Sequence, residues 1–251
     1  MSGATSTIRR LPQHVTDTVR STAQAADLAS AASQLVLNSL QAGARSILVT
    51  ADISAWSLTV EDDGCGITAA SFPLLGQRSC TSKPACCRGE ALSSLAQLSQ
   101  QISITSRAAG TFETHKKVLS PTSNNPAHQQ KTISTHAGAQ QSTAPSSTLC
   151  PIPRPRQGTT VCLKGFLHNQ PVRRNRILQQ HAGGTAATAA ARPGPSTAQQ
   201  LAVTTAARAS SSCLQELKQA LFVLLLPHTA VELVLQQAGS SASVLHMPKV
   251  C

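Results

Sequence analysis

Leu28, Ala32, Leu35, Val36, Ser39 and Leu40 recur three and four residues apart, which predicts a helix with one buried stripe. Gly43 then closes it at the C-terminal cap. Two β-type runs follow, S-I-L-V-T at 46–50 and W-S-L-T-V at 56–60, and the short link between them predicts an antiparallel hairpin. A second helix is expected from about Ala91 to Leu98, then a strand over 101–105 and another from Thr159 to Lys164. Cys213 to Leu226 reads as a helix stopped by Pro227, and Ala230 to Leu235 as a strand. Helices interleaved with antiparallel strands predict an α+β fold, a two-layer α/β sandwich, in place of a doubly wound parallel sheet.

Two stretches break the pattern. Thr111 to Arg156 is rich in Ser, Thr, Gln, His and Pro with no apolar period, and His181 to Ser212 is mostly Ala, Thr, Gly, Ser and Gln. Neither is expected to bury enough surface to offset its chain entropy, so both read as insertions or linkers. The chain thus divides into a first sandwich part (1–110), an insertion (111–157), a last strand and turn (158–180), a linker (181–212) and a final block (213–251).

Composition sharpens this reading. Of the 251 residues 41% are hydrophobic, but only 2% are aromatic, so part of the chain is expected to stay outside a packed core. No stretch has the order of a signal peptide, and the apolar run from Ala220 to Leu226 is far shorter than the ~20 residues of a membrane span. An intracellular protein is expected. Eight scattered cysteines without paired C-x-x-C spacing read as reduced thiols, and no zinc or other protein-built metal cluster is expected. The net charge of +11 is concentrated: no Asp or Glu occurs between Thr114 and Gln215, while Lys116, Lys117, Lys131, Arg154, Arg156, Lys164, Arg173, Arg174, Arg176, Arg192 and Arg208 all do. That excess suits a polyanion such as nucleic acid, or reflects drift in an unstructured insertion.

The chemistry-bearing residues lie in the first half. Gln34 and Asn38 sit four apart, on one face of the first helix. E-D-D-G-C-G-I (61–67) directly follows the second strand. A carboxylate at a strand end, here Asp62, can accept from an exocyclic amine, while Gly64 and Gly66 let backbone approach a flat ring. A plain strand-to-loop turn would use the same residues. Downstream come T-S-K (81–83) and then R-G-E-A-L (88–92), where a glycine at a helix start offers free N–H groups to phosphate.

In order, N-S-L-x-A-G-A, D-x-G-x-G-I, T-S-K, R-G-E-A-L-S-S-L-A, G-T-T-V and N-x-P-V-R-R resemble the MutL family of mismatch-repair proteins, of the gyrase B, histidine kinase and MutL ATPase superfamily. The resemblance runs from about Ile8 to Arg107 and resumes over Gly158 to Arg176. Leu37 before Asn38, where most members carry Glu, looks most like the meiotic paralogue of the MutL-gamma heterodimer. The resemblance implies a Bergerat-type ATPase sandwich followed by the start of an S5-like domain in 213–251. It implies ATP and Mg²⁺ as cofactors, DNA and a MutL-homologue subunit as partners, and the nucleus as location. By the same match Asn38 is the magnesium ligand, Asp62 binds adenine, and Ala42, Gly64, Gly66 and Thr159 shape the nucleotide pocket. Thr81 and Lys83 belong to a lid, Arg88, Gly89 and Glu90 open the phosphate-binding helix, and Arg173, Arg174 and Arg176 lie on a turn that could touch DNA phosphates.

The departures are specific. Gln34 stands where the family has its catalytic Glu, and a neutral amide takes no proton from water; the implied ATPase is therefore expected to bind ATP and turn it over weakly. Only Pro84 to Cys87 separates T-S-K from R-G-E-A-L, with Cys86 and Cys87 where Gly and Phe are expected, which shortens the lid. The competing reading is a non-catalytic DNA-binding or scaffold remnant with an eroded pocket.

Overall fold

Asp27 starts the helix that the periodicity predicts. Its carboxylate accepts from the Ser30 N–H at 2.7 Å while the Ser30 hydroxyl takes the Asp27 N–H at 3.0 Å, a reciprocal capping box. This helix is α2 (Leu28–Gln41), preceded by α1 (Gln13–Gln24). The computed structural model describes residues 10–80, 89–121, 147–149, 153–182, 195–240 and 243–249.

After α2 the chain makes the expected hairpin, β1 (Ser46–Asp52) and β2 (Ser57–Asp62), antiparallel with Val49 opposite Val60. A 3₁₀ turn (Ala69–Leu74) leads toward α3 (Ala91–Leu98), β3 (Ser99–Arg107), β4 (Thr114–Leu119) and β5 (Ser147–Leu149). Then come β6 (Gly158–Phe166), α4 (Pro171–His181), α5 (Pro195–Leu225), β7 (Glu232–Gln237) and β8 (Ser243–Met247). One mixed sheet runs β5-β4-β3-β6-β2-β1-β7-β8, antiparallel throughout except for β1 beside β7. Alternate positions of β1 and β2, among them Ile47, Val49, Leu58 and Val60, are buried in one core with Leu28, Leu35 and Val36 of α2 and Leu95 and Leu98 of α3. This is the expected α+β sandwich.

Several boundaries differ from the sequence reading. The insertion read over 111–157 contains β4 and β5. β4 escapes a hydropathy reading because its buried positions are Thr114, Lys117 and Leu119, which follow no regular alternation. Lys117 is buried by placing its ammonium on the carbonyls of Phe72 (3.1 Å), Pro73 (2.9 Å) and Leu75 (2.9 Å), tying off the 3₁₀ turn; burial pushes its pKa below the ordinary lysine value. One of the charges counted toward a polyanion is thus internal.

The linker read over 181–212 is also shorter. α5 begins at Pro195, because alanine has the highest helix propensity and an alanine-rich run needs few large side chains to stay helical. Ala209, Cys213, Leu217, Leu221 and Leu225 recur every fourth residue and are buried against α2, which pushes the Cys213 thiol up to about 11, chiefly through desolvation. The turn read over Asn169–Arg176 is the start of α4, with Pro171 at its first position, where the missing N–H costs nothing. Finally, the S5-like start read in 213–251 is corrected. β7 pairs in parallel with β1 from Ser46↔Glu232 to Ala51↔Gln237 and β8 adds to its far side, so these residues complete the first sheet.

Candidate nucleotide site

Asp62 ends β2 and is only 7% exposed. Its carboxylate faces α2: one oxygen accepts from the Ser39 hydroxyl at 2.9 Å, and the other from the backbone N–H groups of Gly64 (3.0 Å) and Thr159 (3.1 Å). A carboxylate offers about four acceptor positions, so one remains for a ligand amine once these three are filled. Ser39 directly follows Asn38, and Asn38 lies one turn beyond Gln34 on α2. The strand-end carboxylate is thus bonded to the helix that carries both amides.

The loop after Asp62 is laid against the end of α2. The Cys65 N–H donates to the Ala42 carbonyl at 3.0 Å, and a Cβ on Gly64 would stand 2.9 Å from the Ala42 Cβ. At Gly66 (φ +70°) a Cβ would meet the Arg107 carbonyl oxygen at 2.1 Å, so a close backbone crossing demands glycine there. Beyond it the Ile67 N–H donates to the Ser106 hydroxyl at 2.9 Å, and Ser106 pairs with the Thr159 hydroxyl at 2.9 Å. Gly64, Gly66, Ala42, Thr159 and Asp62, each read from its motif, thus form one contiguous wall.

Ser106 is absent from the sequence reading, which takes Ser39 only as part of the buried stripe of the helix. Ser39 was visible within N-S-L, beside Asn38; Ser106 was signalled only by inward alternation on β3. Arg154 is counted in that reading only within the positive charge excess. It lies in the stretch read as an insertion, yet its Nη2 reaches the Asp62 carbonyl at 3.2 Å.

Gly89 and Glu90 lead into α3. Glu90 stands at its N-cap without capping it by its side chain; one carboxylate oxygen accepts instead from Gln24 Nε2 at 2.5 Å. The Gln24 Oε1 accepts from Ser94 at 2.7 Å, and the Gln24 carbonyl accepts from Gln34 Nε2 at 2.5 Å. Gln34, read as a neutral stand-in for a base, is therefore bonded into a network joining α1, α2 and α3. Thr81, Lys83 and Arg88 lie outside the described residues.

The three arginines read as DNA contacts part company. Arg173 Nε caps the Ala26 carbonyl at 3.2 Å, and the Arg174 guanidinium stacks 4.9 Å from the centre of the Trp56 ring, where burial lowers its pKa. Arg176 is exposed, on a groove along α4 that it lines with Asp27, Arg173, Ile177 and His181. The described residues hold no cluster of three or more His, Cys, Asp or Glu that could bind a metal by themselves. Magnesium bound beside substrate phosphates needs no such cage, since it commonly takes one or two protein ligands, usually carboxylates, and keeps several waters.

No protein-family model matches the chain. It is 31% identical over 188 residues to the DNA mismatch repair protein MLH3 of Saccharomyces cerevisiae, an alignment covering 69% of this chain and 24% of that protein. With MLH3 of Arabidopsis thaliana it shares 29% over 180 residues, covering 67% and 14%. With MutL of Rhizorhabdus wittichii it shares 36% over 122 residues, covering 44% and 20%. The chain thus spans a quarter or less of these relatives. Among solved structures, the N-terminal domain of a DNA repair protein superposes with a TM-score of 0.60 at 19% identity, covering 93% of this chain and 56% of that one. The Aquifex aeolicus MutL ATPase domain complexed with ADP gives 0.53 at 17%, covering 89% and 64%. These likenesses fix the fold, and the sequence relatives fix the lineage: the chain belongs to the MutL family of DNA mismatch-repair proteins and is MLH3-like within it.

Proposed function

We propose that this chain is the ATP-binding N-terminal region of a MutL-type mismatch-repair protein, which uses nucleotide binding to gate a clamp beside DNA together with a MutL-homologue partner. The observation that supports this reading is the bond between the Asp62 carboxylate and the Ser39 hydroxyl, which ties the end of β2 to α2, the helix that also bears Asn38. Asp62 would take the adenine amine on its remaining acceptor position, Thr159 and Gly66 would border the ring, and the Asn38 side-chain oxygen would hold Mg²⁺. When bound, the ion neutralises part of the triphosphate charge. Gln34, a neutral amide, takes no proton from water, so hydrolysis is weak, and binding biases the conformational equilibrium. The setting of this reading is the nucleus, and the process meiotic recombination.

Calorimetric titration with ATP tests the reading. Saturable binding that strengthens with magnesium, and loses that gain in Asn38→Ala, is the expected result. Binding indifferent to both the ion and Asn38 would reject it, and salt-sensitive DNA binding without any nucleotide affinity would favour a scaffold remnant.

For DNA, Arg176→Ala is expected to lower the salt slope of log K by about one, with melting unchanged, because an exposed phosphate contact contributes mainly counterion release. Arg174→Ala should instead lower the melting temperature and leave the slope alone, since its guanidinium is spent on Trp56. The reverse pattern would place the DNA contact elsewhere.

A further inference from the structure

Gln34 carries an acceptor that the protein does not fill. Its Nε2 donates to the carbonyl of Gln24, the last residue of α1, where helical carbonyls lack partners within the helix. Its Oε1 is buried, and among the described residues no donor reaches it. The amide cannot simply turn over, because that would set Oε1 against the Gln24 carbonyl oxygen. Nor is Gln24 loose, since its own side chain is fastened to Glu90 and Ser94. The result is a buried carbonyl oxygen with a fixed direction, on the helix face shared with Asn38 one turn away.

An unfilled buried acceptor is costly, so a donor is expected to meet it when the site is occupied. Nucleotide phosphates accept and cannot fill it. A magnesium ion bound through few protein ligands keeps several of its waters, and each is a strong donor. Resting on the ATP reading above, we propose that Gln34 Oε1 accepts a hydrogen bond from a water of the bound magnesium–nucleotide group, with the end of α1 locking its direction. An amide takes this bond without taking a proton. The same contact therefore tightens binding and leaves the water unactivated.

The magnesium gain in affinity for a non-hydrolysable ATP analogue, measured on the whole chain with the ion and with a chelator, reads this bond directly. Gln34→Met removes the acceptor and should cut the gain about fivefold to tenfold while metal-free binding stays at the parent value. Gln34→His provides a second variant that still offers a donor to Gln24. Its neutral ring also accepts and should keep the gain at about pH 8, whereas the protonated ring has two donors and should lose it at about pH 5.5, each against the parent at the same pH. A gain unchanged in Gln34→Met, or independent of pH in Gln34→His, overturns this proposal and leaves the nucleotide site standing. A parent that binds no nucleotide under any condition overturns both.

Discussion

Gln34→Glu is expected to raise ATP turnover by about 10²–10⁴-fold, the range a positioned general base supplies, but only above the pKa of the new carboxyl. A carboxylate at 34 would face the Gln24 carbonyl oxygen, which now stands 2.5 Å from Nε2, and the negative end of the α1 dipole. Both disfavour the anion, so the new carboxyl should titrate above the ordinary glutamate value. Below that pKa the neutral acid donates to Gln24 and no base is present; above it the base appears. The linkage runs the same way for stability. A folded-state pKa raised above the unfolded one means the native state holds the extra proton, so the variant's melting temperature should fall relative to the parent as pH rises through that window. Rates equal to the parent at every pH would show that position 34 does not limit hydrolysis.

Asp62 gives the second large effect. Asp62→Ala leaves the Ser39 hydroxyl and the Gly64 and Thr159 N–H groups without their acceptor, at roughly 1–3 kcal/mol for each that stays buried and unpaired. A fall in melting temperature of about 10 °C is expected for a chain of this size. Asp62→Asn separates folding from recognition. Its oxygen can still accept from Gly64 and Thr159, and its NH₂ can donate to Ser39, so melting should stay near the parent. That NH₂ confronts the adenine amine with a second donor, and ATP affinity should drop about 100-fold, in line with how strongly a mismatched polar site rejects a ligand. Parent-like ATP affinity in Asp62→Asn would remove Asp62 from the site.

Local patterns carried much of this molecule. The three-and-four spacing from Leu28 to Leu40 located α2, and the two β-type runs located the hairpin that ends in Asp62. The motif order then singled out Asp62, Gly64, Gly66 and Thr159, which the fold brings to one wall. What escaped depends on bonds between residues distant in sequence. Lys117 reads as a solvated cation until the carbonyls of the 3₁₀ turn are placed around it. Arg174 reads as a DNA contact until Trp56 comes beneath it. Gln34 is read from the motif as a neutral residue at a base position, but its anchor, the Gln24 carbonyl ten residues earlier, follows no motif. α5 was read too short because an alanine-rich run resembles a linker by composition and a helix by propensity. The parallel register of β7 on β1 lay beyond local pattern altogether, since nothing near Glu232 records which strand it joins.

The central claim is that Asp62 and Asn38 grip opposite ends of one nucleotide. Crystals grown with a non-hydrolysable ATP analogue and manganese in place of magnesium test it most directly, because the metal is located by its anomalous signal. The account predicts a manganese peak beside the Asn38 side chain and the adenine amine within hydrogen-bond distance of Asp62. A peak remote from Asn38, or a nucleotide bound with its base away from Asp62, would contradict it.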